Sequence, residues 1–260
     1  MKDKLKVIKI GGEIIDNERK LNEALKDFAA VKGKKILIHG GGKLASKLSH
    51  KMGIEPQMHE GRRLTNQHDL EIVTMVYAGL INKKIVAKLQ SLTCNALGLS
   101  GADANAILSE KRAVHKIDYG LVGDVVKVNY EVVNLLLKHG ITPVFCAITH
   151  DNKGQLLNTN ADTVASEVAI AMCSLFETEL IYCFERKGVL YDLDNPDSVI
   201  PQINSKNYNG LLKKGIINDG MLPKLKKGFD AIEHKVSKVI IGNAGVINNN
   251  KEELFTCLTL

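Results

Sequence analysis

Short, almost wholly apolar runs alternate along this chain with longer amphipathic stretches, and no other feature limits its fold so much. The runs are rich in β-branched residues and cover positions 6–10, 35–38, 142–147, 179–184 and 238–241. A strand with one wet face alternates apolar and polar residues. These do not, as expected where helices cover both faces of a parallel sheet. Of the intervening stretches, 21–30 repeats apolar residues at helical spacing and 43–52 follows a triple glycine. Stretch 66–79 places Leu70, Val73, Val76 and Tyr77 on one side, with length for about four helical turns. Stretch 129–139 ends before Gly140 and 161–175 opens after Asn160, residues suited to a helix end and a helix start. Together these predict an α/β fold with a largely parallel sheet. Stretches 55–64 and 107–128 break the rhythm and read as antiparallel hairpins added to that sheet, both in the N-terminal half. A soft boundary near 173–177 divides residues 1–175 from 176–260, with one sheet expected to run through both.

At 260 residues and 45% hydrophobic, the chain can bury a full core in one large or two modest domains. No apolar run approaches the ~18 residues of a membrane span, and residues 1–5 lead into the first strand without the apolar region of a signal peptide. The five cysteines are scattered and form no Cys-x-x-Cys, which predicts reduced thiols in a cytoplasmic protein rather than a zinc site or disulfides. Lys and Arg number 35 against 29 Asp and Glu, aromatics are 5% and Trp is absent. Dispersed positive charge with few stacking platforms argues against nucleic acid and fits a small anionic substrate.

Chemistry concentrates in a few places. Lys9 ends the first apolar run and is followed by Gly11-Gly12; Gly40-Gly41-Gly42 follows the second. Glycine turns after strands bare backbone N–H groups that suit phosphate oxygens. The triple glycine also satisfies Gly-x-Gly-x-x-Ala, a dinucleotide-binding pattern, and could equally be a tight strand-to-helix turn. No Walker A sequence accompanies it. Lys9 is either a lysine snorkelling at a strand end or a cation in the crevice beyond the sheet, and the two glycines favour the crevice. Arg63 reads as a surface arginine or as a fork for a carboxylate. In Asn158-Thr159-Asn160-Ala161-Asp162, capping explains Asn160 and Asp162 but not Asn158. Lys224 lies in Asn218-Asp219-Gly220-Met221-Leu222-Pro223-Lys224. Two lysines flanking a carboxylate suit charge that develops in phosphoryl transfer.

Taken with Gly61-Arg62-Arg63-Leu64-Thr65, Leu97-Gly98-Leu99-Ser100-Gly101-Ala102-Asp103 and Gly215-Ile216-Ile217-Asn218-Asp219-Gly220-Met221, these segments resemble the amino acid kinase family, and within it the members that phosphorylate N-acylated glutamate. The resemblance runs from Lys6 to about Gly245. It implies a three-layer sandwich around the central sheet, and transfer of the γ-phosphoryl group of ATP, carried with Mg²⁺, to the γ-carboxylate of N-acetyl-L-glutamate in arginine biosynthesis. Lys9 and Lys224 would stabilise the moving phosphoryl group and Asp162 would hold both. Gly11, Gly12, Gly41 and Gly42 would supply N–H donors, Arg63 would bind the α-carboxylate and Asn158 the acylamino end. The nucleotide would lie against Glu185, Gly188, Ile216, Ile217 and Asn218 in residues 176–260, and the protein would supply no metal ligand of its own. Another acyl group such as succinyl, a sister kinase, a nicotinamide oxidoreductase or an inactive sensor are the competing readings. The family's Asp-Val-x-Gly turn reads Glu185-Arg186-Lys187-Gly188 here, and the closing Gly-Thr is absent. No helix precedes the first strand, which fits the dimeric, arginine-insensitive members. A homodimer is expected, with Val73, Val76 and Tyr77 of the long amphipathic stretch at its two-fold interface.

Overall fold

The first apolar run becomes β1 (Lys4–Ile10), followed by α1 (Gly12–Ile15), α2 (Glu18–Ala30), β2 (Lys34–His39) and α3 (Gly42–Lys51). The computed structural model describes residues 2–217, 221–248 and 254–260. Two-residue strands β3 (Met58–His59) and β4 (Arg62–Arg63) lead into α4 (Gln67–Thr74), a π-helical stretch (Met75–Ile81) and α5 (Asn82–Ser91). Then come β5 (Ala96–Leu99), β6 (Ile107–Lys111), β7 (Gly123–Val128), α6 (Tyr130–Lys138), β8 (Thr142–Cys146), β9 (Ile148–His150), β10 (Leu156–Asn158) and α7 (Ala161–Met172). The remainder holds β11 (Glu177–Cys183), β12 (Gln202–Asn204), α8 (Ser205–Lys213), α9 (Leu222–Glu233), β13 (Lys238–Gly242) and β14 (Thr256–Thr259).

The central sheet has eight strands in the order β12-β14-β13-β11-β1-β2-β8-β5, and β13 with β14 is its antiparallel pair. β1 lies between β11 and β2, parallel to both, so strands from before and after residue 176 share one sheet. Leu5 and Val7 of β1 enter a core with α6, α7 and α9, whereas Ile8 and Ile10 enter a second core with α2, α3, α4 and α5. Both faces of β1 are therefore dry, which is why its sequence does not alternate.

Two expectations need correction. The hairpins do not extend the central sheet: β3 and β4 pair alone, and β6 and β7 join β9 and β10 in a four-stranded sheet. The reason is a bend after β8. The chain leaves the central sheet at Cys146, and β6 pairs with its continuation β9 at Leu108 and His150. The amphipathic stretch also runs past residue 79, as α4, the π-helical stretch and α5 succeed one another to Ser91. Its face with Val73, Val76 and Tyr77 is buried within the same chain, and the exposed apolar side chains are Met75 and Leu80.

Candidate active site

Lys9 shares the face of β1 that carries Leu5 and Val7, since side chains repeat every second residue. That face points toward α7, and Lys9 meets α7 at its start: Lys9 Nζ lies 2.7 Å from Asp162 Oδ1. The start is fixed by Asn160, whose Oδ1 accepts from the N–H groups of Asp162 and Thr163 at 2.8 and 3.1 Å. From the other side α9 is pinned along α7 by Ser166 Oγ donating to Lys227 O and by an ion pair between Lys227 and Glu167 at 3.1 Å. Three residues earlier on α9, Lys224 Nζ lies 3.1 Å from Asp162 Oδ2. One buried carboxylate thus binds two ammonium groups, one through each oxygen. Burial alone would push its pKa up, but Lys9 and then Lys224 outweigh that and hold it down at about 2.

Two glycine turns border this ion cluster. The Gly11 N–H donates to Cys183 O at 2.8 Å, continuing the β1–β11 ladder one residue beyond the strand, so this donor, expected to face a phosphate, is already taken. Gly12, the first residue of α1, has open space where a Cβ would stand. Gly41 caps α3 with φ +154°, and a Cβ there would meet Ile81 Cδ1 at 2.2 Å and the Tyr77 ring at 3.1 Å. No other residue fits that turn without displacing the π-helical stretch. His39, just before it, is fully buried, bonding Gly40 O through Nδ1 and the Asn82 amide through Nε2. Burial lowers its pKa to about 4, so the ring is neutral.

Arg63 is buried, not a surface residue. Its Nη2 donates to Ser46 Oγ at 2.7 Å and to Gly42 O at 3.3 Å, while Nη1 stands 3.6 Å from Asp69 Oδ1. Neither Nη1 nor Asp69 Oδ1 has a hydrogen-bond partner. The Asn158 side-chain amide donates to Thr65 Oγ1 at 3.0 Å.

These residues line two clefts. The first is bounded by residues between 9 and 162, including Gly41, Gly42, Arg63, Asn158 and Asp162. The second is bounded by Gly11 and Glu13 on one side and by Glu185, Gly188, Ile216 and Lys224 on the other. Lys9 and Gly12 line both. A group passing from one cleft to the other passes Lys9.

The profile of the amino acid kinase family matches residues 4–243. The chain belongs to the amino acid kinase family. Proteins named acetylglutamate kinase from Cytophaga hutchinsonii and Phocaeicola vulgatus are 57% and 52% identical to it over 253 and 248 residues, each alignment covering 95% of this chain and 96% of the relative. The crystal structure of a Streptococcus mutans protein shares the fold with a TM-score of 0.77 at 25% identity, over 97% of this chain and 98% of that one.

Against this amino acid kinase frame, most of the expected site residues come together. Ile217 is the exception among the described residues. It is buried in the core beside α7 and α9 rather than in the second cleft, which Ile216 lines instead. Asn218 lies outside the described residues. Other residues at the site were not anticipated: Ser46, Thr65 and Asp69 brace Arg63 and Asn158, and Tyr77 and Arg112 line the first cleft. Of these Asp69 had a readable signal, because Asn66-x-x-Asp69 is a capping-box pattern, and both of its hydrogen bonds form.

Proposed function

We propose that the protein transfers the γ-phosphoryl group of ATP to the γ-carboxylate of N-acetyl-L-glutamate, as a step of arginine biosynthesis. The observation that carries this reading is the meeting of two clefts at Lys9, with Asp162 tying Lys9 to Lys224 across the junction. Family membership and the name borne by relatives above half identity support it. In the reaction a γ-carboxylate oxygen forms a bond to the γ-phosphorus, and the bond from that phosphorus to the β–γ bridging oxygen breaks. ADP leaves with the electron pair. The nucleophile is already ionised at neutral pH, so no general base is required, and catalysis consists of alignment and charge neutralisation.

In this reading the first cleft, within residues 1–175, takes the acylglutamate, and the second, built mainly from residues 176–260, takes the nucleotide. Lys9 and Lys224 flank the moving phosphoryl group, and Asp162 fixes both. Gly12, Gly41 and Gly42 face the phosphates and the acceptor. Arg63 receives the α-carboxylate and Asn158 the acylamino group, with Glu185, Gly188 and Ile216 along the nucleotide. The proposed Mg²⁺ arrives bound to the phosphates of the nucleotide. A homodimer is proposed as well, supported by exposed Met75 and Leu80 on the long helix and exposed Leu97 on the edge strand β5, apolar groups that a two-fold partner would cover. No helix among the described residues is long and apolar enough to cross a membrane. All five cysteines are free thiols, which suits a reducing cytoplasmic setting.

The test is an assay with MgATP and N-acetyl-L-glutamate, trapping the acyl phosphate with hydroxylamine, run in parallel with N-succinyl-L-glutamate to fix the acyl group. Hydroxamate formation with stoichiometric ADP is expected. Absence of acylglutamate-dependent ADP release would overturn the reading.

A further inference from the structure

Tyr77 occupies the wall of the first cleft, in a place its sequence pattern assigns to a core-facing helix position. It belongs to the π-helical stretch Met75–Ile81 within an otherwise α-helical rod. Such turns are rare and recur at functional sites, because the wider turn re-aims the side chains it carries. The ring of Tyr77 packs on the Gly41 turn, 3.1–3.2 Å from where a Cβ on Gly41 would stand. Its hydroxyl lies 3.7 Å from the corresponding point on Gly42. The side chain is 6% exposed, and the exposed part faces the cleft.

The hydroxyl and Arg63 converge on the same turn: Arg63 Nη2 donates to Gly42 O at 3.3 Å, and both residues line the first cleft. Burial raises the phenol's pKa, while the Arg63 charge pulls it the other way. A phenol O–H has a proton to give, which a guanidinium, itself only a donor, cannot accept. Among the described residues no carbonyl or carboxylate receives it. A donor on the wall of a cleft, which it shares with a guanidinium whose own Nη1 lacks a hydrogen-bond partner, fits a ligand with two acceptor oxygens on one carbon.

Resting on the function proposed above, we propose that Tyr77 is a substrate-binding residue: its hydroxyl and the Arg63 guanidinium together hold the α-carboxylate of the acylated amino acid. The guanidinium supplies charge and the phenol supplies direction. The π-helical stretch sets the phenol at the Gly41–Gly42 turn, where the acceptor must lie for its γ-carboxylate to reach Lys9.

Tyr77→Phe tests this, since it removes one oxygen and keeps the ring that packs on Gly41. Loss of a hydrogen bond to a charged group should raise the KM and the calorimetric Kd for N-acetyl-L-glutamate by about tenfold or more. The KM for MgATP and the thermal midpoint should stay within twofold and about 2 °C of wild type, respectively. The second arm uses 4-acetamidobutyrate, which keeps the acylamino group and the reacting carboxylate but has no α-carboxylate. The variant and wild type should bind and turn over this analogue equally. An unchanged Kd for N-acetyl-L-glutamate, or an equal loss for both ligands, would overturn the role of Tyr77 while leaving the kinase reading intact. If the wild type neither binds nor phosphorylates N-acetyl-L-glutamate, the reading of the site fails and the role of Tyr77 fails with it.

Discussion

Replacing Asp162 by asparagine is the most informative perturbation of the ion cluster, because it keeps the size of the side chain and deletes the charge between two lysines. In the native protein the carboxylate titrates at about 2 instead of 3.8, a depression that corresponds to roughly 2 kcal/mol of folding stability at neutral pH. Removing one partner from a buried ion pair costs ~3–5 kcal/mol, an upper bound here because the Lys224 side chain is 19% exposed and can move toward solvent. A loss of about 2–3 kcal/mol is expected, which for a chain of this size lowers the thermal midpoint by roughly 4–12 °C. The acid limb supplies the sign. A depressed carboxylate contributes its stability above the unfolded pKa of 3.8 and loses it as pH falls through 2, so wild-type stability should decline across that window. Asp162→Asn should lack that decline. In the hydroxylamine assay its kcat should drop ~10²–10³-fold, as for loss of one preorganised electrostatic group, because both ammonium groups lose the anchor that aims them. Turnover within about threefold of wild type would refute the argument that this carboxylate positions Lys9 and Lys224 for the proposed transfer.

Other outcomes follow from the same geometry. Lys9→Ala and Lys224→Ala should each lower kcat by ~10²–10³ with far smaller changes in KM for either substrate; steady-state kinetics at saturating MgATP decides this. Arg63→Lys keeps the charge but cannot reach Ser46 Oγ, Gly42 O and a carboxylate together, so calorimetry should show weaker binding of N-acetyl-L-glutamate with MgADP binding unchanged. His39, held neutral with its pKa lowered to about 4, contributes stability above its unfolded pKa of 6.5 that is lost as pH falls toward 4. Urea titrations should show a loss of up to about 3 kcal/mol across that range, and the limb should flatten in His39→Gln.

How far the chain could be read without its structure depended on what each residue touches. The central strands were legible because both faces of β1 are buried, and such a strand announces itself by its lack of alternation. The hairpins were legible as hairpins but not in their pairing, which follows from a bend after Cys146 that local sequence does not encode. Lys9 was legible from the glycine turn that follows it, whereas Asp162 and Lys224 drew their roles from the family resemblance, since capping alone accounts for an acid in the first turn of α7. Arg63 was ambiguous because Ser46 is an ordinary serine on another helix and Asp69 reads as a capping acid, so neither announces that it closes around the guanidinium. Gly11 carried the signal of a bare backbone donor, yet its N–H is consumed by the β1–β11 ladder; a glycine reveals that a backbone can approach something closely, not what it approaches. Tyr77 was hidden for a further reason. It joins Leu70, Val73 and Val76 as one more apolar position and is buried with them; what the pattern does not show is that its ring also packs on the Gly41 turn and borders the first cleft. Periodicity detects that a side chain is buried, not that one edge of a buried ring also borders a cleft.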